Sequence, residues 1–400
     1  MSRSVYAIAT MDTKGTELGY VADCLRKAGV AVTTVDVGTL DPPTETPDVS
    51  REKVLAGQSL PDDGDRGTAV TTMGDALRDF LLHECEQDRV AGVIGIGGSG
   101  GTALITAAMR ALPIGLPKLM VSTVASGNTS PYVDCSDITM MFSVVDVAGL
   151  NVVSEKILGN AAHAMAGMVS HNTPEREKQP TLGMTMFGVT TPCVTAVREQ
   201  LEAEGFDCLV FHATGTGGRA MEKLVANGMI DGVLDITTTE VADEIVGGIF
   251  PAGPKRFEIS IQRGIPLVMS VGAVDMVNFG GLETVPEKFQ NRNLHVHNAQ
   301  VTLMRTTVEE NRQIADWIAE KVNQSTAPVS ILIPEKGVSM LDAPEQPFYD
   351  PDADAALFSE LETRLDRTET RKIIRLPHHI NDPEVSQALV AEFHQLLNLS

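Results

Sequence analysis

Short apolar runs alternate along this chain with longer amphipathic stretches, and glycine or proline marks most of the junctions. The run VYAIAT, from Val5, has the density of a buried strand. ELGYVADCLRKAG follows with apolar positions at helical spacing and ends at Gly29, a C-cap residue. VAVTTVDVG then reads as a second strand. The same grammar returns 176 positions later, where TLGMTMFG, TPCVTAVREQLEAEG and FDCLVFHATG form a matching unit with Gly205 in the place of Gly29. VAGVIGI resembles IDGVLDI, and GLPKLMVS resembles GIPLVMS. Strands and helices of these lengths in alternation predict parallel sheets. The fold class is therefore α/β: two Rossmann-like lobes with parallel sheets arising from an internal duplication, with ligand clefts at the strand C-terminal ends.

The lobes are expected to join in the polar, proline-bracketed stretch Val169–Thr181, giving an N-terminal lobe of 1–178 and a C-terminal lobe of 179–400. Residues 38–67, rich in proline, aspartate and glycine, predict a long surface loop with one short helical turn. The tail units VSILIP, DADAALFSELETRL, RKIIRLP and PEVSQALVAEFHQLL extend the second sheet, with Asp350 and Pro351 opening a helix. ITMMFSVVDVAGLN predicts a buried strand leading into a helix, and His163 falls in an apolar stripe as a packing histidine.

In open parallel sheets ligands sit beyond the carboxyl ends of the strands, so the chemistry is sought in the strand-to-helix turns. The first lobe offers three. ATMDTKGTE presents Thr10, Asp12, Thr13 and Lys14. GIGGSGGTA presents Gly97, Gly98, Ser99, Gly100, Gly101 and Thr102. VSTVASGNT presents Ser122, Thr123, Ser126 and Gly127. Together they offer backbone and hydroxyl donors to phosphate or ribose, with Lys14 as a cation and Asp12 as a holder of Mg2+. The lysine of a nucleotide P-loop is missing. Gly95, Gly97 and Gly100 match GxGxxG, yet the pattern follows a later strand and no acid stands about 20 residues on, which disfavours a nicotinamide dehydrogenase.

The second lobe carries different groups. HATGTGGRAME holds His212, Thr214, Gly215, Gly217, Gly218 and Arg219. DITTTE adds Thr238 and Glu240, and SVGAVDMVNFGG adds Asp275 and Asn278. His295 and His297 point the same way on a strand, as hydrogen-bonding histidines beside a cleft or as a metal pair. RTTVEEN reads as a helix start, with Thr306 or Thr307 as N-cap and Glu309 and Glu310 in the first turn. Arg292 and Arg305 suit carboxylate or phosphate recognition.

Composition narrows the partners. Across 400 residues, 53 acidic against 31 basic side chains give a formal net charge of −22, which disfavours nucleic acid and anionic membranes. No apolar window approaches the ~20 residues needed to span a bilayer. An odd set of five cysteines without a CxxC pair predicts reduced thiols in a cytoplasmic protein.

ATMDTKG, GIGGSGGT, VSTVASGNT, HATGTGGRAME, DITTTE and HNAQVTLMRTT together resemble an uncharacterised family. It contains the N-terminal inhibitory domain of the tomato mosaic virus resistance protein, a resistance-protein-like ATP-binding domain. The resemblance spans nearly the whole chain. It implies two Rossmann-like subdomains, ATP with Mg2+ in the first, and self-association as a homodimer or higher homo-oligomer. It supplies no catalytic residue, and the antiviral role does not transfer with it. The expectation is an ATP- and Mg2+-binding protein acting on a small acidic or carbonyl metabolite in a cleft between the lobes. Ligase- or kinase-like transfer would employ His212, Glu240 and Arg305, with substrate held by Thr214, Gly215, Gly217, Gly218, Arg219, Thr238, Asp275, Asn278 and Arg292. The alternatives are a non-catalytic module stabilised by ATP and, last, an NAD-dependent oxidoreductase.

Overall fold

A computed structural model of the chain describes residues 3–61, 65–171 and 179–398. The middle of the expected linker, and with it the 178/179 boundary, lies outside the described residues, as does the 62–64 part of the long loop. Two compact units emerge, Met1–Arg176 and Glu177–Ser400.

The first unit runs β1 (Ser4–Ala9), α1 (Met11–Lys27), β2 (Val32–Asp36), α2 (Arg51–Leu55), α3 (Arg66–Glu86), β3 (Val90–Gly97), α4 (Ser99–Ala111), β4 (Lys118–Ser122), α5 (Ser130–Val133), β5 (Thr139–Phe142) and α6 (Ser154–Ser170). Its sheet is parallel, in the order β2-β1-β3-β4-β5. Alternation along the strands splits the core in two. Val5, Ala7 and Ala9 pack with Leu18 and Val21 of α1 and Leu158 and Ala162 of α6. Tyr6 and Ile8 pack with Met73 and Leu77 of α3 and Leu104 of α4.

The second unit runs β6 (Thr181–Met186), α7 (Thr191–Ala203), β7 (Asp207–His212), α8 (Thr216–Ala226), β8 (Gly232–Thr237), α9 (Thr239–Val246), α10 (Glu258–Arg263), β9 (Leu267–Gly272), β10 (Met276–Phe279), β11 (Leu294–Asn298), β12 (Val301–Arg305), α11 (Val308–Val322), β13 (Val329–Pro334), α12 (Pro351–Arg364), β14 (Arg371–Leu376) and α13 (Pro383–Leu397). Its main sheet, β14-β13-β9-β8-β6-β7, repeats the strand order of the first lobe and adds β14 at the far edge. The tail thus extends the sheet as its pattern predicts. Asp350 caps α12 through the Ala353 amide, and Thr307 and Glu310 form a capping box on α11.

Three readings are corrected. β10, β12 and β11 form a separate antiparallel sheet that the strand–helix rhythm did not announce. ITMMF is a half-exposed edge strand instead of a buried one, because β5 has a neighbour only on the β4 side. His163 is exposed on α6 and does not pack in the core. The long loop folds back along the edge strand β2. Val49 bridges Val35, and the Asp48 carboxylate accepts from the Thr34 amide and hydroxyl, both at 2.8 Å. That contact covers an otherwise unpaired sheet edge. All five cysteines are free thiols. No described helix is long and apolar enough to cross a membrane.

Candidate functional site

A doubly wound sheet opens a crevice where its strand order reverses. In the first lobe this lies between the ends of β1 and β3, so the turns 10–14 and 97–102 flank it. Gly98 is the N-cap of α4 and no side chain caps the helix. The first amide to bond back is that of Thr102, to the Gly98 carbonyl at 2.8 Å, so the amides of Ser99, Gly100 and Gly101 have no partner within the helix. A Cβ placed on Gly98 would meet nothing nearer than Thr123 Oγ1 at 3.8 Å, and one on Gly101 nothing nearer than the Ile96 carbonyl at 3.9 Å. Gly97 differs, since its Cβ would press on Gly101 C and Thr102 N at 3.0 Å. Packing thus accounts for Gly97 and leaves the room at Gly98 and Gly101 unexplained.

The neighbouring turn is held from below. Asp36 Oδ1 accepts from the amides of Met11 at 3.0 Å and Gly38 at 2.8 Å. The Thr10 carbonyl accepts from the amides of Thr13 and Lys14, and the Thr10 and Thr13 hydroxyls meet at 3.3 Å. Lys14 Nζ donates to the Val147 carbonyl at 2.7 Å. Asp12 Oδ2 accepts from the Leu40 amide at 3.4 Å, whereas Oδ1 is buried without a partner among the described residues. Thr102 and Ser122 are fully buried and bond to each other at 2.6 Å, so they brace the turns and offer no free hydroxyl. Thr123 is half-buried beside Gly98, and Ser126 and Gly127 lie exposed on the third turn.

The second lobe is wired differently. Arg256 is fully buried and faces three carboxylates, Glu222 at 3.3 Å, Asp235 at 2.8 Å and Glu240 at 3.0 Å. Glu240 Oε1 also accepts from the amides of Gly215 at 2.7 Å and Gly218 at 3.1 Å. An internal carboxylate therefore occupies the N-terminus of α8, where an acidic or carbonyl substrate was expected. The glycines follow from that packing: a Cβ on Gly217 would collide with the His212 carbonyl, and one on Gly218 with the Glu240 carboxylate. Burial pushes the Glu222 carboxyl up to about 7 against the pull of Arg256, and raises Asp235 as well. Thr214 and Arg219 bond to the local backbone, at His212 and Gly215. His212 sits exposed on the edge strand, edge-on to Phe187 at 5.1 Å, and partial burial lowers its imidazole below its ordinary value.

A second buried guanidinium, Arg305, donates through Nε to the Phe348 carbonyl at 2.7 Å and through Nη2 to Asp354 at 2.7 Å. Its Nη1 reaches the Thr306 hydroxyl at 3.0 Å. Asp275 is fully buried nearby with Ser339 on one oxygen, and burial with Asp342 close by pushes it up to about 7. Asn278 serves Asp243, Thr238 bonds the Ser270 carbonyl, and Arg292 clasps Glu310 with both nitrogens at 2.9 and 2.7 Å. Glu240, Arg305 and Arg292, assigned to chemistry or substrate on sequence grounds, thus have internal partners; burial in ion-pair networks is the physical reason. Arg256, Asp342 and Asp354 escaped notice because charged residues in loops and helix starts read as solvated. His295 stacks edge-on against Phe348, and neither it nor His297 belongs to a metal-capable group. Among the described residues that group is His378, Asp382 and Glu384. The β6/β8 switch of this lobe is bridged, since the Val189 carbonyl accepts from the Met340 amide and Asn381 Nδ2, both at 3.1 Å.

Comparison with known proteins matches two family models, the Uncharacterised protein family (UPF0261) N-terminal domain over residues 3–174 and its C-terminal domain over 179–397. A UPF0261 protein of Rhizobium meliloti is 53% identical over 401 residues, covering 99% of this chain and 100% of that protein. The ToMV resistance protein Tm-1 of Solanum lycopersicum is 47% identical over 421 residues, and the match covers 99% of this chain but 56% of the plant protein. The ToMV susceptible protein tm-1 of the same plant is also 47% identical, over 424 residues, 99% of this chain and 56% of its own. Among solved structures, Drosophila melanogaster DJ-1beta aligns with 42% of this chain and 95% of its own at 20% identity, with a TM-score of 0.25.

Proposed function

We propose, from the premise that this chain belongs to the UPF0261 family across both of its domains, that the first lobe binds ATP with Mg2+ at the β1/β3 switch. The observation that carries the reading is the turn at Gly98–Gly101: uncapped helix amides beside two glycines whose missing side chains leave open space. Backbone N–H groups at a helix N-terminus favour phosphate oxygens even in a chain of net charge −22, because the contact is local. Lys14 adds one ammonium with two hydrogens beyond the one given to Val147. Asp12 Oδ1, buried and without a partner among the described residues, is the oxygen suited to Mg2+ directly or through water. Thr10, Thr13, Ser99, Thr123 and Ser126 are the hydroxyls left for ribose or phosphate. When bound, ATP with Mg2+ would supply an activated phosphoryl or adenylyl group.

What ATP does there has two readings, and one observation favours the binding module over transfer chemistry. Glu240 and Arg305, two of the three residues on which transfer was to rest, engage both carboxylate oxygens and all three guanidinium nitrogens inside the second lobe, while the third, His212, stays exposed. The resistance named for the plant relative is not carried over, because the resistant and susceptible forms are equally similar to this chain.

Isothermal titration with ATP, with and without Mg2+ and with NAD+ and NADH as controls, tests the proposal. The expected result is saturable ATP binding strengthened by Mg2+ and weakened in Lys14→Ala. Absence of ATP binding, or preference for the nicotinamide cofactors, overturns it. Steady ADP or phosphate release with a metabolite panel would restore the transfer reading.

A further inference from the structure

Away from both switch points, the second lobe holds a pocket of about 640 Å3, a volume within the range of small-molecule sites. It lies past the carboxyl ends of β13 and β14, against the first half of α12. Pro344, Tyr349 and Phe358 give it apolar walls. Its charged groups are unequal. Arg375 is neutralised by Glu335 at 2.9 Å and Glu362 at 3.0 Å. Lys336 is exposed and makes no ion pair among the described residues, and only its backbone amide is engaged, by the His378 carbonyl. Lys336 is thus the lining cation left to meet a ligand's charge.

The other polar linings include Ser359, Glu335, which is spent on Arg375, and two groups with internal partners, Asp354 and His379. Asp354 is 6% exposed and lines the pocket while bonding Arg305 at 2.7 Å. Burial and the adjacent Asp342 push its carboxyl up to about 8, against the pull of the Arg305 guanidinium. His379 gives Nε2–H to the Ser339 carbonyl at 2.8 Å, and its Nδ1 accepts from the Asn381 amide at 3.1 Å. Both ring nitrogens are thus engaged within the protein.

We propose that this pocket binds an organic monocarboxylate with an apolar body, its carboxylate on Lys336 Nζ and its body against Phe358, Tyr349 and Pro344. The site is independent of the nucleotide reading. It replaces the arginines expected to hold an acidic metabolite with a lysine that the sequence patterns did not single out.

The test is saturation-transfer NMR on the full chain with 4-phenylbutyrate and octanoate as probes and 4-phenylbutylamine as the charge-reversed control. Two variants change exposed residues, Lys336→Met and Ala355→Trp, the second filling the pocket from α12. Circular dichroism confirms that both fold. The wild type is expected to saturate with the carboxylates and not the amine. Lys336→Met should weaken binding about tenfold, the loss of one charge-assisted hydrogen bond. Ala355→Trp should abolish it while ATP titration is unchanged. No saturation by either acid, equal binding of the amine, or undiminished binding in Ala355→Trp would overturn the proposal.

Discussion

The glycine-rich turn before α4 and the one before α8 differ in what a methyl group placed on them would meet. In the second lobe it would strike protein at each position: the Pro251 carbonyl from Gly215 at 2.8 Å, the His212 carbonyl from Gly217 and the Glu240 carboxylate from Gly218. In the first lobe Gly98 and Gly101 face open space at ordinary backbone angles. One turn is glycine-rich because the fold closes on it, and the other holds two glycines, Gly98 and Gly101, without a packing reason. The lesson extends to charge. The second lobe supplies the anion for its own helix terminus from Glu240, whereas the first leaves the amides of α4 uncapped.

The comparison breaks most forcefully at Gly217. Gly217→Val should prevent the second lobe from folding, costing more than about 4 kcal/mol, the range reached by overpacked buried sites. The readout is urea unfolding followed by fluorescence of Trp317, the sole tryptophan, which packs edge-on against Phe257 at 5.7 Å. Arg256→Met should come next, at about 3–5 kcal/mol, because it strands buried carboxylates without their counter-ion. A midpoint within 1 kcal/mol of wild type, an order-of-magnitude threshold for near-neutral substitutions, would contradict the buried network.

A pH series sharpens the same contrast. Glu222, Asp243 and Asp275 have folded values pushed to about 7, and Asp354 to about 8, mainly by burial. Their folded values exceed the ordinary carboxyl values, so the native state holds more protons than the unfolded one between the two. The stability they contribute is complete below the ordinary range and is lost as pH rises through about 7 to 8. The Trp317 unfolding midpoint should therefore fall between pH 5.5 and pH 8.5, a window set by the same carboxyls. A rising midpoint would show that Arg256 and Arg305 keep these groups ionised.

The smallest expected change in stability is at Gly98. Gly98→Val should shift it by less than about 1 kcal/mol, since no neighbour crowds the new side chain. Its ATP affinity should nonetheless drop by at least about tenfold, a loss of roughly 1.4 kcal/mol. Equal affinity in the folded variant would mean that the open space serves nothing.

Much of the fold was legible in the chain. Strand–helix alternation and the repeated Gly29/Gly205 grammar carried the two parallel sheets, and RTTVEEN carried the capping box at Thr307 and Glu310. The antiparallel β10–β12–β11 sheet was not legible, because MVNF and VTLMR are short apolar runs too far apart in sequence to read as a hairpin. Candidate sites were legible in type and ambiguous in use. A glycine string reports that side chains are excluded but not whether protein or ligand excludes them. HATGTGGR therefore read like GIGGSGGT until Glu240 and Arg256 were seen beneath it. Arg256 carried no signal at all, since its burial depends on acids 16, 21 and 34 positions away.

Hydrogen–deuterium exchange of the whole chain with and without ATP and Mg2+ tests the contrast between the lobes most directly. Peptides covering 10–14 and 97–102 should gain protection, while those covering 213–219 should be unchanged because Glu240 already occupies the Gly215 and Gly218 amides. Protection at 213–219 with none at 97–102 would contradict the account and move the nucleotide to the second lobe.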